Sequence, residues 1–166
     1  MRIIALFALF AASAFAQTQS PSLPARCGPE QASLDVKLDQ SPHAVAQPEP
    51  GKALIYFIQD IGEQHFGIGV AAVTWVALDG AWVGGNKNSS YFSVSVEAGE
   101  HHVCSVLRSE LLGHPTEFTH FTAEAGKAYY FRARYTTGFL FIDAADSDEA
   151  KYLIATYPQT ISKLKK

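Results

Sequence analysis

The chain has 166 residues, enough for one domain and hardly for two, and its 13 Lys and Arg against 16 Asp and Glu give a formal net charge of −3. With 48% hydrophobic and 17% charged residues the composition excludes a disordered chain, and its mild acidity argues against a nucleic-acid binder, which needs a basic stripe to neutralise phosphates. Two cysteines are too few for a disulfide-dense miniprotein.

Arg2, the apolar run Ile3 to Phe10 and the small-residue site Ala14-Phe15-Ala16 predict a cleaved signal peptide over 1–16. The alternative, an N-terminal anchor helix, needs a longer span, because crossing a bilayer takes about 20 apolar helical residues. Cys27 lies well past the apolar run and follows Pro24-Ala25-Arg26, so no lipidation site is seen. The expected product is exported and soluble, periplasmic or extracellular, with no transmembrane segment after cleavage. Residues 17–50 read as leader and linker: Ser, Pro and Gln to Ala25, a strand-like alternation at Leu34, Val36 and Leu38, then Pro42, Pro48 and Pro50.

From Gly51 the pattern is short strands and tight turns. Ala53 to Ile58 is apolar at both parities, as a central strand requires. Val70 to Leu78 is a second strand, and Asp79-Gly80 closes it into a hairpin with Ala81 to Val83. Gly84 to Ser90 reads as a turn-forming loop. In Tyr91 to Val96, Phe92, Val94 and Val96 alternate with Tyr91, Ser93 and Ser95. A turn at Ala98-Gly99-Glu100 leads into His101 to Arg108. Glu117 to Ala123 and Lys127 to Tyr135 are predicted to form a hairpin around Glu124-Ala125-Gly126, with Phe139 to Ile142 as the last strand. Asp146 and Glu149 then open a helix whose stripe is Ala150, Leu153, Ile154 and Tyr157, lying against an edge or open end of the sheet, and Pro158 stops it. Residues 158–166 read as a basic tail. The predicted fold is all-β, a mainly antiparallel, Ig-like β-sandwich over 51–157 with one short C-terminal helix.

Four landmarks fall in order: Gly51-Lys52-Ala53 with Ile55-Tyr56-Phe57; Leu78-Asp79-Gly80 with Val83-Gly84; Tyr91-Phe92 with Val94, Val96 and Ala98-Gly99-Glu100-His101; and Ala125-Gly126-Lys127 with Tyr129-Tyr130-Phe131. Together they resemble the bacterial domain-of-unknown-function family 2846, found mainly in exported proteins and lipoproteins, and the central turns are similar to PEGA-type surface domains. The resemblance, over about Gly51 to Tyr157, implies an envelope β-sandwich without established catalytic residues; this chain departs from the lipoprotein members in lacking a lipidation site.

In an oxidising compartment Cys27 and Cys104 are expected to form a disulfide; two free thiols or a metal pair are the alternatives, and no C-x-x-C spacing supports the metal. Metal ligation has only weak candidates in His101, His114 and His120: His101 and His102 point to opposite faces of one strand, and no H-E-x-x-H motif is present. Gly67 to Ala72 matches G-x-G-x-x-A by letters but feeds a strand rather than a helix, which a dinucleotide fingerprint does not. There is no G-x-S-x-G elbow, and the thiol of Cys104 near His102 is explained more simply by a disulfide. The carboxylates from Asp143 to Glu149 sit where they favour a helix start. Arg108, Arg132 and Arg134 form either an anion-binding face or the wet side of a sheet. Trp82 beside Asn86, Asn88 and Tyr91 is the candidate surface for a ligand or partner, since aromatic faces and amides suit a sugar ring or a peptide; the competing role is a core plug with turn-forming Asn residues.

The sequence thus reads as an exported cell-envelope protein, a non-catalytic binding or interaction module for another envelope protein or a glycan, with no cofactor and no nucleic acid. The alternatives are a secreted metal-binding protein or hydrolytic enzyme using His residues, and a purely structural envelope protein.

Overall fold

Strand β2 (Lys52–Gln59) is buried at every position after the first. A strand this apolar needs a cover on each face, and the structure, a computed structural model, supplies both. It describes residues 27–41, 43, 45–60, 73–110, 113–136 and 139–165. The predicted signal peptide, most of the leader and the Gly67 to Ala72 match lie outside them.

Besides β2, the strands are β1 (Ser33–Asp39), β3 (Val73–Leu78), β4 (Ala81–Lys87), β5 (Ser90–Glu97), β6 (Gly99–Arg108), β7 (Thr116–Ala123), β8 (Ala128–Thr136), β9 (Phe139–Ala144) and β10 (Gln159–Lys165). Helix α1 (Ser147–Thr156) lies between β9 and β10. One sheet runs β1-β10-β5-β2-β8-β9 and the other β4-β3-β6-β7. Among the described residues the fold is the predicted all-β sandwich with a single short helix. Its pairs are antiparallel except β2 with β8 and a short contact of β10 with β5. Between the sheets Ile55 and Phe57 of β2 pack with Val76, Leu78, Phe92, Val103 and Phe131. On the far side Leu54, Tyr56 and Ile58 are covered by Ala150, Leu153 and Ile154 of α1.

Several elements follow the predicted local signals. Asp79 and Gly80 take φ of 51° and 81°, the paired positive angles of a tight hairpin turn between β3 and β4. Asp146 caps α1 by accepting from the N–H groups of Asp148 and Glu149 at 2.9 and 3.2 Å, which holds its carboxyl below the usual range. Cys27 and Cys104 form the expected disulfide, with Cα atoms 5.2 Å apart.

Four expectations are corrected. Gly84 to Asn86 belong to β4, not to a loop. The two glycines are there for close approach: a Cβ on Gly84 would meet the Phe92 ring at 2.7 Å, and one on Gly85 would meet the Thr74 carbonyl at 3.0 Å. The β7 and β8 segments form no hairpin, since they lie in different sheets. The turn between them carries the chain across the sandwich, and Gly126, at φ 79°, donates its N–H to the Lys52 carbonyl at 2.8 Å. The expected basic tail is largely strand β10, paired with β1 from Ser33 with Lys165 to Asp39 with Gln159. Hydroxyls seat it: Thr160 donates to the Gly85 carbonyl at 2.7 Å, and Ser162 accepts from the Gly85 N–H at 3.0 Å. The sandwich therefore extends beyond 51–157 at both ends. Finally, α1 covers the middle of its sheet rather than an edge.

At the corner where β5 passes to β6, the His101 ring meets Asp79 Oδ2 at 2.7 Å through Nδ1 and the Glu97 carbonyl at 2.9 Å through Nε2. Burial opposes charge on this ring, but the hydrogen bonds to Glu97 and Asp79 outweigh it and raise its pKa above 6.5. A raised folded-state pKa adds stability that is complete below pH 6.5 and lost as pH rises through the folded value. The wild-type unfolding midpoint should fall over that window, and His101→Gln should flatten the fall; equal pH profiles would contradict the assignment. The 77-residue separation of the disulfide partners predicts that Cys27→Ser with Cys104→Ser costs about 4–5 kcal/mol in the chain-entropy limit, read from denaturant midpoints.

Candidate functional site

The four residues of the predicted ligand surface do not share a surface. Trp82 is half-buried on the outer face of the four-stranded sheet, where its Nε1 donates to the Pro29 carbonyl at 3.0 Å and its ring meets Trp75 edge-on at 5.4 Å. Its indole thus holds the N-terminal segment beside the disulfide rather than plugging the core. Asn86 is buried between the sheets and donates to the Phe57 carbonyl at 3.1 Å. Asn88 occupies the positive-φ turn before β5. Tyr91 is buried on the opposite side of the molecule, against α1.

The weak metal candidates separate in the same way. His101 is committed to Asp79 and Glu97, while His102 and His120 are cross-strand neighbours on the other face, with ring centroids 6.2 Å apart. His114 is exposed beyond the β6–β7 bend. Among the described residues no group of three or more His, Cys, Asp or Glu is arranged to hold a metal ion. Arg132 and Arg134 share one face of β8 but are engaged by carboxylates, Arg132 by Asp60 and Glu149 and Arg134 by Asp143, while Arg108, in the other sheet, lies over the Trp75 ring at 4.5 Å.

The structure instead brings together three distant segments at the C-terminal end of α1. A cleft of about 360 Å³ is lined by Gln40, Ser41 and His43 after β1, by Tyr91 at the start of β5, and by residues 154–158. The volume is that of a small-molecule site. Topology explains the juxtaposition: β10 pairs with β1 on one side and meets β5 at Tyr91 on the other, so the residues before β10 sit beside those after β1.

Each wall has a local cause. Asp39 accepts from both the N–H and the hydroxyl of Ser41, at 2.9 and 2.7 Å, in a turn that leads the chain out of β1. These bonds, with a smaller contribution from His43, hold its carboxyl below the usual range. Ser41, His43 and Asp39 are the residue types of a catalytic triad in the wrong order. The carboxylate, not the imidazole, accepts from the serine, so no base is in line to activate it. Tyr91 is 4% exposed, its burial raises its pKa, and its hydroxyl makes no hydrogen bond among the described residues.

Behind the cleft lies a charged network. Tyr157 donates to Asp60 Oδ1 at 2.6 Å, and Asp60 and Glu149 both engage Arg132. Burial, then the bond to Asp60, pushes the Tyr157 phenol up. Tyr56 is pushed up to about 12 by burial; its hydroxyl donates to the Ala46 carbonyl at 3.0 Å and ties the linker to the sheet. Comparison with protein-family models, with curated proteins and with solved structures gives no match for this chain.

Sequence reasoning found Tyr91 and Tyr157 but placed them as a surface aromatic and a helix stripe. Asp39, Ser41 and His43 are bonded to one another locally, but nothing local marks them or Gln40 as the wall of a cleft, and the partners of Asp60, Arg132 and Tyr157, lie far away along the chain. Tyr157→Phe should destabilise the protein by about 1–2 kcal/mol, because Asp60 then loses a donor in a partly buried setting. Chemical denaturation of the two forms measures this, and an unchanged midpoint would show that solvent replaces the phenol.

Proposed function

We propose that the protein is an exported, non-catalytic binding module of the cell envelope, and that it binds through the cleft at the C-terminal end of α1. The observation that carries this reading is the cleft of about 360 Å³ with the buried Tyr91, free of hydroxyl hydrogen bonds, in its wall. A hydroxyl in a concave wall that no protein group engages is available to a ligand.

Export is supported by the predicted signal peptide and by the Cys27–Cys104 disulfide, a linkage favoured in oxidising compartments. No helix of the described residues is long and apolar enough to cross a membrane. The resemblance to family 2846 seen in the sequence implies the same cellular setting, and in that setting another envelope protein or a glycan is the expected source of the ligand.

Two measurements test the reading. The secreted chain should begin at Gln17 and contain no free thiol; a retained Met1 or a reactive Cys104 would remove the export part. A neutral, mixed fragment set followed by amide chemical shifts should perturb residues 40, 41, 43 and 154–157 first. Shifts confined to the Trp82 face would move the binding site there.

A further inference from the structure

Resting on the reading of the cleft as a binding site, we propose that its ligand is a small aliphatic amine, bound through a primary ammonium group. The first reason is the helix end that forms one wall. Aligned peptide dipoles leave about half a negative charge at a helix C-terminus, and a cation in the last turn ordinarily answers it. In α1 the last turn holds no basic residue. Pro158 has no N–H to give the Ile154 carbonyl, so the last turn also ends with an acceptor lacking its usual donor.

The second reason is independent. Tyr91 is a polar side chain, 4% exposed, in the cleft wall, with a hydroxyl oxygen open to accept from a donor. An ammonium group brings three donors and no acceptor, the complement of a phenol oxygen and helix carbonyls. The aromatic walls of Tyr91 and Tyr157 add a surface that attracts cations.

The third reason is the sign of the surrounding charge. Asp39 lies beside the cleft, fixed by Ser41 and His43, both of which line it. In the network behind, the carboxylates Asp60 and Glu149 both engage Arg132. Lys151, the lysine of α1, pairs with Asp148 at 3.6 Å near the other end of the helix. Acidic side chains thus stand beside the cleft and behind it, and no lysine of α1 stands at this end, which favours a cation over an anion as the ligand group. Ile154 and Ala155 supply a short apolar wall for a hydrocarbon chain.

The test uses the full mature protein and three probes of one shape: n-butylamine, 1-butanol and butyrate. Amide chemical shifts should move saturably with butylamine at residues 40, 41, 43, 91 and 154–157, and the alcohol and the acid should bind at least about tenfold more weakly. Tyr91→Phe, which keeps the ring, should weaken butylamine about tenfold and leave butanol unchanged. Thr156→Lys places an ammonium at the exposed helix end and should abolish amine binding, whereas Thr156→Gln should retain it. Butanol or butyrate binding as tightly as the amine would overturn the cation while leaving the cleft as a binding site. No shift at these residues with any probe would overturn both readings. Amine shifts indifferent to Tyr91→Phe and Thr156→Lys would mark non-specific attraction to acidic surface and overturn the proposal.

Discussion

The double burial of β2 is the constraint on which the rest of the molecule depends. Ile55 and Phe57 point into the sandwich, and Tyr56 and Ile58 point the other way. Each such side chain is worth about 1.5–3 kcal/mol when removed from water, so neither face can be left open. The four-stranded sheet closes one side and α1 closes the other. The helix is therefore a third layer over the centre of the larger sheet, and its stripe of Ala150, Leu153 and Ile154 exists to meet β2 and Tyr91. Aromatic contacts extend the same arrangement sideways: Tyr56 stacks on Tyr130 of β8 at 5.4 Å, and Phe57 packs on Phe92 of β5 at 5.2 Å.

Polar contacts rather than apolar area decide how the periphery is fastened. Thr160 and Ser162 hold β10 to the backbone of Gly85, and the buried Asn86 ties β4 to the Phe57 carbonyl. Once β10 is seated, β1 has a partner along its whole length. The segment from Cys27 to Asp39 then works as a strap. It is bonded to β6 on the outer face of one sheet and paired with β10 at the edge of the other, so it links the two sheets covalently and by hydrogen bonds. Trp82, which donates to Pro29, steadies this strap where it begins.

The cleft is a consequence of that fastening. It lies where the strap leaves β1, where α1 ends at Pro158, and where β5 begins, three places that meet only because β10 lies between β1 and β5. Its polar groups are uneven. Tyr157 is committed to Asp60 and Ser41 to Asp39, while Tyr91 keeps its hydroxyl open. Among the described residues the groups around the cleft are thus already bonded to one another, and the Tyr91 phenol is the exception.

What the sequence determined alone was local. The two-sided apolar run of β2, the Asp79-Gly80 hairpin, the alternation of β5 and the Asp146 cap were all legible, because each is decided by neighbours a few residues away. The pairing of two cysteines 77 residues apart was legible through compartment chemistry rather than geometry. Only the tertiary structure decided the rest. Gly84 and Gly85 have the letters of a turn, yet serve a strand that Phe92 and β10 approach closely. The run at β10 has too little apolar alternation to announce itself, because hydroxyls and a partner strand from the N-terminal segment hold it. Turns at Ala98 and Gly126 look like hairpins locally, but which sheet each strand joins is set by packing across the core. The cleft was invisible for the same reason: its walls come from residues near 40, 91 and 156, and only sheet order brings them together.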